Sequence, residues 1–155
     1  MHKILAVDDN PAILDFYRDL FAEAGFEIET AEDALSATTK HRQFKPDLII
    51  LDLAIPAGGG MRVFERIRHH FGDPVPILFV TGKPEMLPRL QNLHHVAALI
   101  KPVAPERLLT EVNNLLTGRA ARPQRSAPHP STAVKAKWHH KLGKFLKFNS
   151  RRKRP

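Results

Sequence analysis

Polar side chains follow four apolar runs of this sequence, each within a residue of where the run ends. They comprise an acidic pair, a single carboxylate, a hydroxyl and an ammonium group: Asp8-Asp9, Asp52, Thr81 and Lys101. Carboxylates that lie close together repel one another and need a cation, and an all-oxygen cluster suits a hard ion such as Mg²⁺. A carboxylate beside Mg²⁺, a hydroxyl and an ammonium group is an arrangement for phosphoryl transfer. The residue types predict this chemistry if the fold brings them together.

The apolar runs are typical of buried β-strands, and the segments between them have helical periodicity. Asn10 and Pro11 offer an N-cap and a first helical position, and Gly25 offers a C-terminal stop. Strands are predicted over residues 4–7, 26–30, 48–51, 75–80 and 96–100. Helices are predicted over residues 11–24, 31–43, 61–71, a short stretch from Pro88, and 105–118. In the third helix we expect Phe64, Ile67 and Phe71 to point inward.

Five alternating strands and helices predict an α/β fold. Strands that are apolar throughout imply a parallel sheet covered on both faces, and right-handed crossovers make it a doubly wound sheet. In such sheets ligands bind at the carboxyl ends of the strands. The polar residues named above all lie at that edge of the predicted sheet, so we expect them to form one site.

These motifs resemble those of the receiver domain of two-component response regulators. The segment after the third predicted strand, 52–60, is similar to the family's loop, with an apolar residue and Pro at its third and fourth places after Asp52 and Gly at the eighth. The resemblance covers residues 2–118. It implies a flavodoxin-like five-stranded sheet of order 2-1-3-4-5 and a stand-alone, chemotaxis-type receiver that acts as a phosphorylation-activated signalling switch.

The resemblance also implies roles for the residues that accept and hold the phosphoryl group. Asp52 would accept it from a histidine kinase or a phosphotransfer protein of a phosphorelay. Thr81 would donate a hydrogen bond to a phosphoryl oxygen, and Lys101 would pair with the phosphoryl charge. The Lys101–Pro102 peptide bond is expected to be cis. Such a protein is a phosphoacceptor rather than an enzyme, with slow self-dephosphorylation as its own reaction.

The family's metal ligands can be placed on this sequence in the same way. Asp9 would bind Mg²⁺ directly, Asp8 mainly through water, and Asp52 through its carboxylate. The backbone carbonyl of Ala54 would add a further ligand. We expect no metal role for the adjacent histidine pairs His69-His70, His94-His95 and His139-His140, because neighbouring helical residues point in different directions.

Three features depart from the family pattern. The aromatic residue that usually stands three places before the lysine is replaced by Ala98. Gly82 stands where Ala is common after the threonine, and Pro84 and Pro88 interrupt the fourth predicted helix. We therefore expect the phosphorylation chemistry to be intact and its transmission to differ from the family's usual aromatic switch.

The charge of the chain is divided unevenly between two regions. Residues 1–118 hold all 16 acidic residues and half of the 24 basic ones, a net charge of −4. Residues 119–155 hold the other 12 basic residues and no acid. Residues 119–132 are rich in Pro, Ser and Arg and are predicted to form a disordered linker. The remainder, 133–155, is predicted to be a basic amphipathic tail.

The tail pattern leaves several roles open. At helical spacing Val134, Trp138, Leu142 and Phe145 share one face, with lysines beside or opposite it. Such a segment suits an anionic partner, either a membrane surface or nucleic acid. It could also fold back on the acidic receiver, or be a passive extension. We expect an anionic partner rather than folding back, because exposed ion pairs are weak and screened by salt.

Composition excludes other classes of function. The chain has 155 residues and no cysteine, which rules out disulfide frameworks and thiol chemistry. It has no apolar run long enough to cross a bilayer and no secretory signal, so a cytoplasmic location is expected. There are two rival interpretations: a nucleic-acid- or membrane-binding adaptor whose receiver is mainly a scaffold, and a flavodoxin-like enzyme. The enzyme is disfavoured because no hydroxyl-rich phosphate loop follows the first strand.

Overall fold

The computed structural model describes residues 1–118. The predicted linker and basic tail, residues 119–132 and 133–155, lie outside the described residues. No helix within residues 1–118 is both long enough and apolar enough to span a membrane.

Five parallel strands form one sheet in the order β2-β1-β3-β4-β5. The bounds are Lys3–Val7 for β1, Glu27–Ala31 for β2, Leu48–Leu51 for β3, Ile77–Thr81 for β4 and Val96–Ile100 for β5. Strands β1, β3 and β4 lie at the centre of the sheet. Their residues are apolar and buried, with two exceptions: Lys3 at the start of β1 is half-buried, and Thr81 at the end of β4 is polar but buried. The predicted doubly wound sheet and its strand order are thereby confirmed.

Helices cover both faces of the sheet. Their bounds are Pro11–Glu23 for α1, Ala34–Phe44 for α2, Gly59–Glu65 for α3, Leu87–Leu90 for α4 and Pro105–Leu116 for α5. Successive side chains of a strand point to opposite faces, so β1 contributes Leu5 and Val7 to one apolar cluster and Ile4 and Ala6 to the other. The first cluster packs against α2, α3 and α4, and the second packs against α1 and α5.

The start of α1 follows the prediction, whereas the start of α2 does not. The side chain of Asn10 accepts a hydrogen bond from the Ala12 amide, and Pro11 is the first helical residue. The prediction that α2 begins at residue 31 was wrong, because Ala31 pairs with Val7 as the last residue of β2. The helix begins after Asp33, whose side chain caps it by accepting from the Ser36 amide at 2.7 Å.

The third and fourth helices also differ from their predictions. The predicted helix over 61–71 was wrong at both ends, since α3 spans Gly59–Glu65 and a π-helical turn follows over Arg66–His70. Phe64 and Ile67 are buried as predicted, whereas Phe71 is only half-buried, just beyond the turn. A 3₁₀ turn over Pro84–Met86 leads into α4, which has only four residues. The prolines thus shorten this helix as expected.

Candidate phosphoryl-transfer site

The carboxyl ends of four neighbouring strands bring the predicted polar residues together. Asp8 follows β1 directly, and Asp52 follows β3. Thr81 is the last residue of β4, and Lys101 is the first residue after β5. Because the sheet is parallel, these side chains, up to 93 residues apart in sequence, share one edge.

The ammonium group of Lys101 bridges two carboxylates. Its Nζ donates to Oδ2 of Asp8 at 2.6 Å and to Oδ2 of Asp52 at 3.1 Å. The side chains of Asp8 and Asp52 are 2% and 7% exposed, so both charges are largely withdrawn from water. The peptide bond between Lys101 and Pro102 is cis, as expected.

Three carboxylates converge beside this ammonium group. Asp8, Asp9 and Asp52 each offer one oxygen, and these oxygens all lie within 4.8 Å of one another. Asp9 is exposed, whereas the other two are buried, so the cluster opens to solvent on one side. Oxygen ligands on a partly open site match the preference of Mg²⁺, which binds through one or two carboxylates and retains several waters.

Burial sets the electrostatics of the site. Desolvation raises the pKa of Asp8 above its usual value, although the attraction and hydrogen bond of Lys101 oppose that rise. Burial alone would lower the pKa of Lys101, but the charges of Asp8 and Asp52 outweigh it and the pKa is raised. The pKa of Lys101 is thus shifted toward its charged form, whereas burial disfavours the charged form of Asp8.

The loop after β3 fixes the position of Asp52. The Ala54 amide donates to Oδ1 of Asp52 at 3.1 Å, which orients the carboxylate. The chain then turns through Ala57, Gly58 and Gly59, all with positive φ. A Cβ on Gly60 would lie 2.2 Å from the Asp52 carbonyl oxygen, so only glycine allows α3 to start this close to β3. The sequence pattern marked Gly60, but its reason is visible only in the fold.

The hydroxyl of Thr81 is already engaged in a turn. Thr81 is fully buried, and its Oγ1 accepts a hydrogen bond from the Lys83 amide at 3.1 Å. The same turn begins the loop that carries Pro84 and leads to α4. A change at the Thr81 hydroxyl is therefore linked by one hydrogen bond to this loop. No residue pattern in the sequence indicates that contact.

The position of the usual switch aromatic lies in the middle of β5. Ala98 pairs with Phe79 of β4 and is half-buried against the cluster that contains Leu90 of α4. Its methyl group has no side-chain torsion to change, so it cannot swing between an inward and an outward state.

A buried histidine outside the site was not singled out by the sequence. His41 of α2 is 5% exposed, and its Nε2 lies 2.8 Å from Oδ2 of Asp73. Its ring stacks on Phe71 with centroids 5.7 Å apart. This contact connects α2 to the segment after the π-helical turn, on the face opposite α1 and α5.

The adjacent pairs His69-His70 and His94-His95 belong to no cluster of potential metal ligands found among residues 1–118.

Comparisons with known proteins agree on one family. Residues 4–113 match the response regulator receiver domain. The DNA-binding dual master transcriptional regulator RpaA of Synechocystis sp. is 33% identical over 132 residues, which cover 83% of this chain and 54% of that protein. The response regulator MprA of Mycobacterium leprae is 33% identical over 127 residues, covering 81% and 54%. The chain thus spans about half the length of these curated relatives.

Solved structures show the same fold. The chemotaxis protein CheY4 of Vibrio cholerae superposes with a TM-score of 0.68 at 31% identity, covering 74% of this chain and 98% of that one. A putative response regulator from Chloroflexus aurantiacus has a TM-score of 0.68 at 27% identity, covering 75% and 98%. Receiver domains are phosphorylated on an aspartate and bind Mg²⁺ at their acidic site. With its parallel sheet, its acidic cluster and its bridging lysine, this chain belongs to the response regulator receiver family of two-component signalling.

Proposed function

We propose that Asp52 is the residue of this chain that accepts the phosphoryl group. The observation that carries the assignment is the pair of contacts that Asp52 makes at the open edge of the sheet. Lys101 donates to one carboxylate oxygen and the Ala54 amide to the other. In the proposed reaction a carboxylate oxygen of Asp52 attacks phosphorus, and the donor's leaving group departs with its electron pair.

The neighbouring side chains support this role by balancing charge. Lys101 pairs with the phosphoryl oxygens, and the Thr81 hydroxyl leaves the Lys83 amide and donates a hydrogen bond to one of those oxygens. Asp8, Asp9, Asp52 and the backbone carbonyl of Ala54 would hold Mg²⁺, with Asp8 acting mainly through water. The bound ion supplies positive charge next to the attacking carboxylate. Of these oxygens, only those of Asp9 and Ala54 belong to exposed residues.

The domain organisation and the partners are part of the same proposal. Residues 1–118 would be the receiver, 119–132 a disordered linker and 133–155 a basic tail. The phosphoryl donor would be a histidine kinase or a phosphotransfer protein, as for receivers in general. Output would pass through protein–protein contacts, the tail or both. Slow self-dephosphorylation by water would return the protein to its starting state, in the cytoplasm.

Intact-mass measurement with a small phosphodonor tests this function. We expect the protein to gain one phosphoryl group when Mg²⁺ is present, and none when EDTA removes the ion. The reason is that the metal-free carboxylates repel an incoming phosphate. Equal phosphorylation with and without Mg²⁺ would contradict the proposed metal role, and no phosphorylation under either condition would contradict the proposed function.

A further inference from the structure

An apolar pocket lies directly beside the candidate site, on the face covered by α1 and α5. Its walls are Ile13, Phe16 and Tyr17 of α1 together with Pro102, Val103 and Leu108 around the start of α5. Lys101 lines the pocket as well, while its ammonium group binds Asp8 and Asp52. The pocket therefore offers hydrophobic contact next to the residues that hold the phosphoryl group.

The flank of α1 on the pocket side is acidic. Arg18 lies on the other flank, since its guanidinium contacts Thr30 of β2. Phe16, Asp19 and Glu23 follow one another at spacings of three and four residues, so they share the flank that borders the pocket. Asp19 and Glu23 are exposed and Phe16 is half-buried. The pocket is thus bordered by a row of negative charge.

One segment of this chain has the complementary chemistry. In residues 133–149, Trp138, Leu142 and Phe145 fall on one helical face, with Lys137 and Lys141 beside it. We propose that this segment binds the α1–α5 pocket of its own chain. Its apolar face packs over the mouth of the pocket, which has room for only a small group, and its lysines face Asp19 and Glu23. The anionic partner of the basic tail is then the receiver itself.

The connection between the two parts is long enough. The described chain passes Leu116, the end of α5, and the pocket lies beside the opposite end of that helix. Twelve residues of α5 rise about 18 Å. A flexible chain as long as residues 119–132 has an end-to-end distance of about 20 Å. The segment at 133–149 can therefore return along α5 to the pocket.

Binding of the segment to its own receiver is favoured by the apolar contacts of the pocket and by the tether. Exposed ion pairs alone are weak and screened by salt, but contacts in an apolar pocket are not screened. A flexible tether also gives an effective concentration of the order of millimolar. A contact of only millimolar affinity is then populated in roughly half of the molecules. A membrane or nucleic acid has to compete with that local contact.

Fluorescence of the full chain tests the proposal, because Trp138 is its only tryptophan. Without any ligand or vesicle, we expect emission shifted to the blue of a water-exposed indole. We also expect the slope of quenching by a neutral quencher to be roughly half that of free N-acetyltryptophanamide, from the half-populated contact. Both values should stay constant on dilution, since the contact is within one chain.

Two variants and a matched control define the surface. Phe16→Ser should return emission and quenching to those of free indole, with far-UV circular dichroism checking that the receiver remains folded. The double variant Asp19→Asn/Glu23→Gln leaves the core intact and should raise the quenching slope at low salt. The double variant Glu32→Gln/Glu65→Gln removes the same charge beside α2 and α3, on the other face of the sheet, and should change neither value.

The remaining outcomes overturn the proposal. If the ligand-free chain emits like a water-exposed indole, residues 133–149 do not bind the pocket. A blue shift that disappears on dilution assigns the segment to a second copy of the chain. A blue shift seen only with anionic vesicles, or quenching seen only with nucleic acid, assigns it to that partner instead. If the two double variants changed the quenching slope equally, the segment would respond to the net charge of the receiver and not to the acidic flank of α1.

Discussion

The ammonium nitrogen of Lys101 lies 2.6 Å from Oδ2 of Asp8, a contact between residues 93 positions apart in the chain. It joins the ends of β1 and β5, which are separated by two other strands in the sheet. Since Asp52 shares the same ammonium group, one positive charge offsets part of the negative charge of two buried carboxylates. Among residues 1–118, Lys101 is the cation that contacts both buried carboxylates.

Replacing Lys101 by Met should therefore destabilise the metal-free protein. Removal of one partner from a buried charge cluster leaves uncompensated charge and costs about 3 kcal/mol of unfolding free energy. Urea unfolding in EDTA measures this loss, and added Mg²⁺ should recover more stability in the variant than in the wild type. Lys83→Met, in the exposed loop after Thr81, is the matched control and should change little. Equal stability of the two variants would contradict the role of Lys101.

Gly60→Ala should disturb Asp52 through the backbone. The added Cβ would lie 2.2 Å from the Asp52 carbonyl oxygen and 2.9 Å from Cα of Leu53, so the start of α3 has to move. We expect a loss of about 2 kcal/mol in unfolding free energy, typical of overpacking, and slower phosphorylation. Gly82→Ala is the control, because no atom lies within 4 Å of its Cβ position and its φ is not positive. Similar effects of both changes would show that the close approach does not matter.

Mg²⁺ should stabilise the folded protein through the acidic cluster. A ligand that binds only the folded state at a hundred times its dissociation constant adds about 2.7 kcal/mol. Thermal unfolding with increasing Mg²⁺ should show a rising midpoint, and Asp9→Asn should reduce that rise because it removes the exposed ligand. Asp15→Asn, an exposed position on α1, should leave the rise intact. A midpoint insensitive to Mg²⁺ in the wild type would refute the metal site.

Phosphorylation should act on the loop after Thr81 more than on β5. The Thr81 hydroxyl accepts from the Lys83 amide, so drawing it toward a phosphoryl oxygen releases that amide. Ala98 has no ring with which to report the change. Amide hydrogen exchange with phosphodonor and Mg²⁺ should therefore change more over residues 82–87 than around residue 98. The opposite ranking would mean that β5 transmits the signal without an aromatic residue.

The central strands β1, β3 and β4 were predictable because their apolar runs are buried and end at polar residues. Residues 48–51 and 96–100 match β3 and β5 residue for residue. Four of the five strand ends also located a site residue, so Asp8, Asp52, Thr81 and Lys101 could be placed at one edge before any geometry was known. A parallel sheet requires that convergence once its strands are assigned.

Helix boundaries were less predictable because they depend on contacts outside the local pattern. Ala31 looks helical by composition but pairs with β1, and Asp33 caps α2 through Ser36. The π-helical turn after α3 ends where the Phe71 amide donates to the carbonyl of Arg66, five residues earlier. The spacing of apolar residues does not indicate this change in the hydrogen-bond pattern. The link from Thr81 to Lys83 likewise involves a backbone amide, which carries no sequence signal. The loop pattern marked Gly60, but the backbone clash that requires glycine there is visible only in the fold.

Localising the phosphoryl group tests the central claim most directly. After reaction with a small phosphodonor and Mg²⁺, the protein is digested and the modified peptide is identified by mass. The account predicts one phosphoryl group on the peptide that contains Asp52. It predicts none in the Asp52→Asn variant and full modification in Asp47→Asn, at the other end of β3. Phosphorylation of the Asp52→Asn variant to the wild-type extent would contradict the account.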